Sequence, residues 1–400
     1  MSHAPPTMTR HNTLRIILTC NYSPWSAYSG GGQLSTHQLA TELSRLGHDV
    51  CVVYTRGLLD RITAPPETLY NVHWAGFFAI KSTSSSIFRP FNALTVAKLV
   101  SKLSKGHDRV IVHSQGEEGT LIPVLSPQLI WVLTPRYPSY PTALMTQTKS
   151  KMFLTWFSGT KYMLLRRFAR YAQVVCPTSH ATAKIIETAL CLMPERIKVV
   201  PNGIHKAFMR VNRNRLPEGA PIVFFGRNEY SKGIDTLVDA YVKIRPSNPL
   251  VIIGSGNLRA KMTARIHEAG LQHAVRFMDW LSPDEIAQIL AGAALAVLPS
   301  RVESFGNAIA ETIAAGTPLI STTAGSIPSI VDSQLTPLVA AGNVDGLVNA
   351  MQEVLSDIQT YEVKAIEAQK QIRERFSWPK TAAHFVNVYE SVLQCKIDGN

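Results

Sequence analysis

Two α/β domains, each built on a parallel sheet, are the architecture that this sequence predicts. Short apolar runs alternate with helical patterns along the whole chain, and such alternation is typical of parallel sheets covered by helices. The chain has 400 residues, of which 46% are hydrophobic, and this is enough for large cores in about two domains. A polar stretch marked by proline and glycine interrupts the alternation between positions 201 and 221, where we expect the linker.

Each strand is predicted from a short apolar run, and each helix from apolar residues spaced three or four apart. In the first half, the predicted strands are residues 14–20, 50–54, 110–113, 129–133 and 174–176, and the helices include 34–46 and 92–104. In the second half, the predicted strands are 222–225, 250–253, 275–278, 295–298 and 319–321, and the helices lie near 233–245, 258–269 and 283–293. We therefore expect an N-terminal Rossmann-like domain at 1–200, a C-terminal one at 201–377, and a final helix at 378–400 that packs back on the first domain.

Composition narrows the classes of protein that the chain can be. A net charge of +12 favours anionic partners such as nucleotide phosphates, lipid headgroups or nucleic acid, but no nucleic-acid recognition motif is present. No apolar run approaches the roughly 20 residues of a membrane span, and the first apolar run is too short for a secretory signal. Five scattered cysteines show no metal-ligand spacing. We expect a reduced, cytoplasmic protein without a nucleic-acid partner, in which Cys20, Cys51 and Cys176 are small core residues.

The most informative stretch runs from Glu303 to Glu311, with seven residues between the two carboxylates. The apolar run 295–298 predicts a buried strand just upstream, and the spacing of Ile309 and Ile313 predicts a helix that begins between the glutamates. Open α/β sheets bind ligands where strands end in this way. The N–H groups of the turn can face an anion, and both carboxylates can accept hydrogen bonds from hydroxyls. A nucleotide sugar, with phosphates between two polyols, has this chemistry.

Two further loops have residues suited to phosphate. Arg227 and Lys232 follow a predicted strand, where they can hold a diphosphate and stabilise the charge of a leaving nucleotide, or form a solvated basic loop. The chain contains no D-x-D pair, so we expect cations rather than a metal to neutralise the phosphates. Gly30, Gly31 and Gly32 follow the first strand, where they can let the backbone approach a ligand or form an ordinary turn.

In the first half, two features leave alternatives open. His113 ends an apolar strand, where it can donate to a substrate oxygen or be satisfied by the backbone. The segment from Lys149 to Tyr171 mixes basic with aromatic residues. Such a segment can lie on an anionic membrane surface, or it can pack as an ordinary helix with its cations in solvent. Peripheral contact with the inner face of a membrane is therefore a further expectation.

Taken together, these residues resemble the large family-4 group of retaining glycosyltransferases, also called glycosyltransferase group 1, which have the GT-B fold. The similarity extends over nearly the whole chain. The motifs that match the family are, in chain order, Gly30-Gly31 with the helix that ends at 46–50, residues 199–204, Gly226-Arg227 with Lys232-Gly233, Pro299-Ser300, the stretch from Glu303 to Glu311, and residues 315–318, 326–331 and 376–378. The fold class that it implies is α/β, with two Rossmann-like domains whose parallel sheets face each other across a cleft.

The resemblance implies an activity and a role for each matching residue. The expected enzyme is a hexosyltransferase that moves a sugar from a nucleoside-diphosphate sugar to a hydroxyl acceptor with retention of anomeric configuration, in glycan or glycolipid biosynthesis. No cofactor and no metal are expected, and the acceptor is a glycan, a glycolipid or a small molecule. By this resemblance, Arg227 and Lys232 bind the donor diphosphate, Glu303 binds hydroxyls of the transferred sugar, and Glu311 binds the ribose hydroxyls. The backbone N–H groups of Phe305, Gly306 and Asn307 donate to the phosphate or the sugar. The backbone of Gly30, Gly31 and Gly32 approaches the donor closely, and His113 lies near the reacting sugar.

This sequence departs from the family pattern in the acceptor half. Family members often have a histidine two residues after His113, where this chain has Gln115, and another after the next strand, where it reads Thr134-Pro135-Arg136. Arg136, with Tyr137 and Tyr140, is therefore a candidate contact for a charged or glycan acceptor.

Other classes of function stay open at the level of sequence. A sugar-nucleotide epimerase or a phosphorylase can have the same fold, and product analysis separates them, because an epimerase needs no acceptor and a phosphorylase needs free phosphate. A non-catalytic protein that binds a nucleotide sugar is a further alternative. An enzyme is favoured over this alternative because all four residues that the resemblance assigns to the donor site are present, namely Arg227, Lys232, Glu303 and Glu311.

Overall fold

A computed structural model describes residues 13–26, 29–57, 67–77, 89–136, 163–213, 216–217 and 219–398. The chain divides into two compact units, one formed by Met1–Pro201 together with Trp378–Asn400 and the other by Asn202–Ser377. Each unit has a parallel sheet with six strands in its described part. Tyr137, Tyr140 and positions 149–162, which the sequence analysis singled out, lie outside the described residues.

The first unit is built on the sheet β3-β2-β1-β4-β5-β6, in which all neighbouring strands are parallel. Its strands are β1 (Arg15–Cys20), β2 (Asp49–Gly57), β3 (Asn71–Phe77), β4 (Val110–Ser114), β5 (Ile130–Leu133) and β6 (Val174–Val175). Its helices include α1 (Gly31–Arg45), α2 (Arg89–Leu103), α3 (Ile122–Leu125) and α4 (His180–Leu190). The strand order reverses beside β1, between β1 and β4, and this is where α/β sheets bind ligands.

The second unit repeats this plan with the sheet β12-β11-β10-β7-β8-β9. Its strands are β7 (Ile222–Phe225), β8 (Leu250–Ile253), β9 (Val275–Met278), β10 (Leu295–Val297), β11 (Leu319–Thr322) and β12 (Leu338–Val339). Its helices are α5 (Lys206–Arg210), α6 (Ile234–Ile244), α7 (Arg259–Glu268), α8 (Pro283–Ala291), α9 (Asn307–Ala314), α10 (Ile327–Ile330), α11 (Val344–Ser356) and α12 (Ile358–Arg375). The order reverses between β7 and β10, whose carboxyl ends therefore flank a switch point.

The predicted strands and helices are confirmed with small shifts of their ends, and the bounds of β7, β8 and β9 are as predicted. The start of α1 is a correction, because the helix begins at Gly31, three residues before the predicted start. Glycine is a poor helix former, so the pattern favoured a turn there. In the structure, the amide of Gly30 donates to Gln33 Oε1 at 3.1 Å, which helps to close the first turn. The edge strands β3 and β12 were not predicted, because His73 and Gly76 interrupt the apolar residues of β3 and because β12 has only two residues.

The C-terminal helix α13 (Trp378–Asp398) belongs to the first unit. Successive residues of β1 face opposite sides of the sheet, so Ile16 and Leu18 join one core cluster and Ile17 joins the other. Tyr389 of α13 is completely buried in the cluster that contains Ile16 and Leu18. The helix thus covers one face of the first sheet, and its side chains reach the neighbourhood of β4.

The side chains of Cys20, Cys51 and Cys176 are buried and unpaired in disulfides, so their prediction as core residues is confirmed. In the part of the chain that the structure describes, no helix has the length and apolar content needed to cross a bilayer.

Candidate functional site

Lys232 and Glu303 come together at the switch point of the second sheet. Lys232 follows β7 in the turn before α6, and Glu303 lies in the loop after β10. Lys232 Nζ is 2.6 Å from Glu303 Oε1, and only 25% and 10% of the two side chains are exposed. Ser300 Oγ donates to the same oxygen at 2.8 Å. No described residue donates to Oε2 of Glu303, so this oxygen is available to a ligand hydroxyl.

Two glycines allow close backbone packing beside Lys232 and Glu303. Gly233 has a φ of 69°, and a Cβ atom there would lie 1.9 Å from Pro299 O. Gly325 has a φ of 56°, and a Cβ atom there would lie 2.3 Å from Glu303 O. Side-chain-bearing residues rarely adopt such φ values. A larger residue at either position would therefore displace the backbone beside Lys232 or Glu303.

Arg301, which was not among the predicted site residues, holds the turn that contains Lys232 in place. Its guanidinium donates to both oxygens of Asp235, at 2.6 and 3.0 Å, and to Thr236 Oγ1 at 2.7 Å. It also lies over the ring of Tyr230 at 3.9 Å. Bidentate and stacked contacts of this kind depend on the planar guanidinium, which lysine lacks. The ion pair leaves no local sequence signal, because Arg301 and Asp235 are 66 positions apart.

Arg227 lies in the loop after β7 but does not join the Lys232–Glu303 pair. Its guanidinium is 3.4 Å from Glu229, and 55% of its side chain is exposed. The next residue, Asn228, is completely buried and ties this loop to the one after β8, through bonds to Ser255 O at 2.8 Å and to Gly254 O at 3.1 Å. Arg227 is thus an exposed cation on a fixed loop, and it can turn towards an anion.

Glu311 lies in α9, half-buried, and no described group forms a hydrogen bond with its carboxyl. Burial raises the pKa of this carboxyl from its ordinary value of 4.5 to about 8. At neutral pH, Glu311 is therefore mostly protonated in the structure as it stands. Hydroxyl donors would favour its ionised form, because a carboxylate accepts their hydrogen bonds.

The start of α9 offers backbone donors between the two glutamates. Gly306 precedes the helix with a φ of 92°, and no side chain caps the first turn. The N-terminal N–H groups of a helix attract anions. The Phe305 ring packs edge to face on Phe376 at a centroid distance of 5.4 Å and is buried, so only its backbone can face a ligand. Asn307 Oδ1 accepts a hydrogen bond from Asn202 at 3.0 Å.

In the first unit, His113 is completely buried at the carboxyl end of β4. Its Nδ1 is 2.7 Å from the hydroxyl of Tyr389, and its Nε2 is 2.8 Å from Thr134 Oγ1. Burial, together with the charge of Arg136, lowers the pKa of His113 well below its ordinary value, so the ring is neutral. The predicted contact of His113 with a reacting sugar stays a prediction. The observed contacts of the ring, with Tyr389 and Thr134, hold it in a fixed orientation at the end of β4.

Arg136 sets the tautomer of His113 through Gln115. Arg136 Nε donates to Gln115 Oε1 at 2.6 Å, which leaves the NH2 group of Gln115 facing His113 Nε2 at 3.2 Å. Because arginine only donates, this orientation of the amide is fixed, and Nε2 must be an acceptor. The ring hydrogen is therefore on Nδ1, which donates it to Tyr389. The two departures from the family pattern, Gln115 and Arg136, thus act together.

The glycine turn and two acidic residues complete this end of the first sheet. Gly30 precedes α1 and has no side chain to cap it, and Gly31 and Gly32 form the first turn, which Gln33 Oε1 helps to close by accepting from the Gly30 N–H. Glu118, which was not predicted, is 2% exposed and accepts from Thr19 Oγ1, Asn21 Nδ2 and the backbone N–H of Gln115 at 3.0 to 3.2 Å. Glu117 forms an ion pair with Arg89. Among the described residues there is no cluster of three or more His, Cys, Asp or Glu suited to a metal.

Comparison with known proteins identifies the family. Residues 208–372 match the glycosyl transferases group 1 family, and residues 29–208 match glycosyltransferase family 4. An uncharacterised glycosyltransferase of Methanocaldococcus jannaschii is 31% identical over 215 residues, which are 50% of this chain and 55% of that protein. The MMP alpha-(1->4)-mannosyltransferase of Mycolicibacterium hassiacum is 25% identical over 420 residues, which cover 95% and 98% of the two chains. This chain thus spans about half the length of the first relative and nearly all of the second.

Solved structures show the same fold. Sucrose-phosphate synthase of Thermosynechococcus elongatus has a TM-score of 0.81 at 20% identity, with 96% of this chain and 100% of that chain covered. HepE of Anabaena in complex with UDP-glucose has a TM-score of 0.72 at 16% identity, with 94% and 100% covered. The predicted α/β class, with two Rossmann-like parallel-sheet units of the GT-B fold, is confirmed. Because the two family matches together extend from residue 29 to residue 372, the chain belongs to the family-4, group 1 glycosyltransferases.

Proposed function

We propose that this glycosyltransferase moves a hexose from a nucleoside-diphosphate sugar to a hydroxyl acceptor and retains the anomeric configuration. The observation that carries the proposal is the contact of Lys232 with Glu303 at the switch point of the second sheet. The Lys232 cation can bind a diphosphate, and the available oxygen of the Glu303 carboxylate can accept a hydrogen bond from a hydroxyl. The pair therefore suits a substrate in which a diphosphate is joined to a sugar. Two relatives support this donor class and sugar, since HepE was solved with UDP-glucose and the M. hassiacum protein is a mannosyltransferase.

In this proposal, each part of the donor meets one part of the site. Lys232 and Arg227 hold the diphosphate, and Glu303 accepts hydrogen bonds from hydroxyls of the transferred sugar. Glu311 accepts from the ribose hydroxyls, and the backbone N–H groups at 305–307 donate to the phosphate or the sugar. The glycine turn at the start of α1 approaches the donor from the first unit.

The chemistry follows from where charge develops. The bond between the anomeric carbon and the phosphate oxygen breaks, the acceptor oxygen bonds to that carbon on the same face, and the acceptor proton passes to the leaving phosphate. Negative charge grows on the diphosphate during this step, and the cations of Lys232 and Arg227 stabilise it. The proposal contains no protein nucleophile, no cofactor and no metal.

In this proposal, the first unit binds the acceptor. It is a glycan, a glycolipid or a small molecule with a free hydroxyl, and the product enters glycan or glycolipid biosynthesis. Peripheral contact with a membrane, predicted for the segment from Lys149 to Tyr171, is part of the proposal, because a lipid-linked acceptor is presented at a bilayer surface.

Thermal unfolding with UDP, GDP, ADP and CMP tests the donor class. We expect one nucleotide to raise the unfolding temperature of the wild type by several degrees. A ligand at 100 times its dissociation constant stabilises by about 2.7 kcal/mol, and each kcal/mol shifts a protein of this size by about 2–4 °C. Glu311→Ala should reduce the shift, whereas the same change at the exposed Glu268 of α7 should leave it intact.

The outcomes of this experiment separate the alternatives. A shift with one nucleotide that Glu311→Ala reduces identifies the donor nucleotide and supports the ribose contact. The absence of any shift would count against a preformed donor site. A normal shift without transfer to any acceptor would favour a non-catalytic nucleotide-sugar-binding protein.

Arg136 provides a test of acceptor binding in the first unit. If Arg136 contacts a charged or glycan acceptor, Arg136→Ala should raise the acceptor KM by about tenfold or more, since a charge-assisted hydrogen bond contributes roughly 1.5–3 kcal/mol. The donor KM should change little, because Lys232, Glu303 and Glu311, which we propose to hold the donor, lie in the second unit. Steady-state kinetics with Arg136→Lys as a second variant measures how much of the effect is charge. Unchanged acceptor kinetics in Arg136→Ala would remove this role.

A further inference from the structure

The hydrogen bonds of His113 belong to a chain of four side chains in the first unit. Arg136 Nε donates to Gln115 Oε1 at 2.6 Å, and the NH2 group of Gln115 faces His113 Nε2 at 3.2 Å. The ring hydrogen on Nδ1 is donated to the Tyr389 hydroxyl at 2.7 Å. Each group therefore donates to the next, from Arg136 to Tyr389, and we call these four residues the arginine–tyrosine relay.

Burial gives the direction of these hydrogen bonds a large energetic weight. Arg136 and Gln115 are 7% and 4% exposed, and His113 and Tyr389 are completely buried. Leaving a buried donor without an acceptor costs more free energy than a paired hydrogen bond contributes. A change at one end of the relay should therefore reorient the groups along it, instead of leaving one of them unpaired.

The C-terminal helix supplies one end of the relay. Tyr389 of α13 and Phe385, one turn before it, both contact the His113 ring, at centroid distances of 5.8 and 4.8 Å. Burial raises the pKa of Tyr389 well above its ordinary value, so its hydroxyl stays protonated and neutral. The helix thus fixes both the place of the imidazole and the acceptor for its Nδ1 hydrogen.

The other end of the relay lies at the carboxyl edge of the first sheet, where parallel sheets bind ligands. Gln115 directly follows β4, and Arg136 follows β5 by three residues. The backbone N–H of Gln115 donates to Thr19 O and to Glu118 Oε1, both at 3.0 Å. The backbone of Gln115 is thus fixed, and its side-chain amide is the part that can turn.

Removing the Tyr389 hydroxyl should turn this amide. Without an acceptor at Nδ1, the ring hydrogen of His113 moves to Nε2, where Thr134 Oγ1 lies at 2.8 Å. The NH2 group of Gln115 then faces an N–H group and must turn away, which brings it towards Arg136. Because arginine has no acceptor, Arg136 loses its hydrogen bond to Gln115 and, with it, its fixed position.

We propose that the other three residues of the relay position Arg136 to bind an anionic group of the acceptor. A phosphate or a carboxylate is the class of group that suits a guanidinium held in a fixed plane. The inference rests on the acceptor contact of Arg136 in the proposed function, and it does not involve the donor contacts of the second unit. Through Tyr389, the C-terminal helix becomes a determinant of acceptor recognition.

Nitrogen-15 NMR of the full-length protein labelled in histidine tests the relay itself. The chain has 12 histidines, and the signals missing from His113→Gln identify His113. In the wild type, we expect a neutral ring with its hydrogen on Nδ1, and Tyr389→Phe should move this hydrogen to Nε2. The matched control is Tyr241→Phe, which removes a buried hydroxyl that donates to Asn248 O at 2.9 Å in the second unit. It should leave the tautomer unchanged.

Isothermal titration with glucose 6-phosphate, glucuronate and glucose tests the consequence for binding. We expect the wild type to bind one of the two anionic sugars about tenfold or more tightly than glucose, as for a charge-assisted hydrogen bond. Which anion gains more distinguishes a phosphate from a carboxylate. Arg136→Ala should abolish the preference, Tyr389→Phe should remove most of it, and Tyr241→Phe should keep it.

A change at position 115 tests the direction of the relay. A carboxylate there can accept from Arg136 and from an Nε2 hydrogen together, so it has no need to turn. Gln115→Glu should lower the preference only in part, through its charge, and adding Tyr389→Phe to it should lower the preference no further. A loss that came only from weaker folding would instead be the same in both backgrounds.

The outcomes that contradict the proposal are distinct. A full preference for the anion in Tyr389→Phe, or a ring hydrogen that stays on Nδ1 in this variant, would overturn the positioning role. A preference that survives Arg136→Ala, or none in the wild type, would overturn the anion contact and the proposal with it. Failure of the proposed donor site is measured separately, as the absence of any nucleotide-induced rise in the unfolding temperature.

Discussion

Replacing Lys232 by alanine is expected to slow sugar transfer by about 10²–10³-fold, which is the usual effect of removing one electrostatic donor from a transition state. Lys232 is the cation closest to Glu303, at 2.6 Å, and in the proposed reaction it faces the diphosphate as negative charge develops there. Steady-state kinetics with saturating donor measures the loss in kcat. The effect should be on kcat more than on KM, because the charge is larger in the transition state than in the bound donor.

The control for this experiment is in the same part of the unit. Lys243 lies in the last turn of α6, exposed, and pairs with Asp345. Lys243→Ala should leave transfer unchanged. Glu303→Ala should also slow transfer, and the double variant Lys232→Ala with Glu303→Ala should lose less than the product of the two single effects, since the two groups are in contact. A Lys232→Ala enzyme as fast as the wild type would contradict the proposed role.

The stability of the protein is expected to fall as pH rises from about 4.5 to about 8, through the carboxyl of Glu311. Its pKa is about 8 in the folded chain against an ordinary value of 4.5, so in this window the unfolded chain has lost the proton that the folded chain retains. The free energy of unfolding then decreases with pH by at most about 1.4 kcal/mol per unit, and it levels off below and above the window. The upper bound of the total effect is about 4–5 kcal/mol.

Glu311→Gln should remove this slope, because glutamine stays neutral and has nearly the same shape. Urea unfolding at several pH values between 4.5 and 9 measures the difference between the variant and the wild type. Glu268→Gln, at an exposed position of α7, is the matched control and should keep the wild-type slope. A Glu311→Gln variant with the same pH dependence as the wild type would contradict the assignment to Glu311.

The same carboxyl links nucleotide binding to pH. In the proposed complex, ribose hydroxyls donate to the ionised form of Glu311. Binding near pH 7 should therefore release a proton, and affinity should rise with pH until about 8. Isothermal titration in two buffers with different ionisation enthalpies measures the released proton directly. Glu311→Gln should bind without release, and wild-type binding that is independent of pH would argue against the ribose contact.

The sequence predicted the elements of the second sheet well because their signals are local. The run at 222–225 is apolar and is followed by a basic loop, so both the strand and the position of Lys232 after it can be read from adjacent residues. Glu303 could be named in the same way. That the two side chains form a hydrogen bond could not be predicted, because they are 71 positions apart and meet only when β7 and β10 pair.

Residues without a local signal were missed. Arg301 clamps Asp235 from a position that resembles an ordinary loop residue. Tyr389 meets His113 from 276 positions away, on a helix whose amphipathic pattern shows only that it packs somewhere. The glycine turn was predicted as a loop, whereas two of its glycines begin α1, since Gln33 supplies a contact that helix propensity does not describe.

By itself, the sequence determined the α/β class, the order of most strands and helices, and the identity of the cations and carboxylates that follow the strands. These depend on composition and spacing along the chain. Only the tertiary structure decided which of these groups meet, which tautomer His113 adopts, and why the pKa of Glu311 rises to about 8. Hydrogen bonding and desolvation depend on neighbours in space, and residues far apart in the chain become neighbours only when the sheets assemble and exclude water.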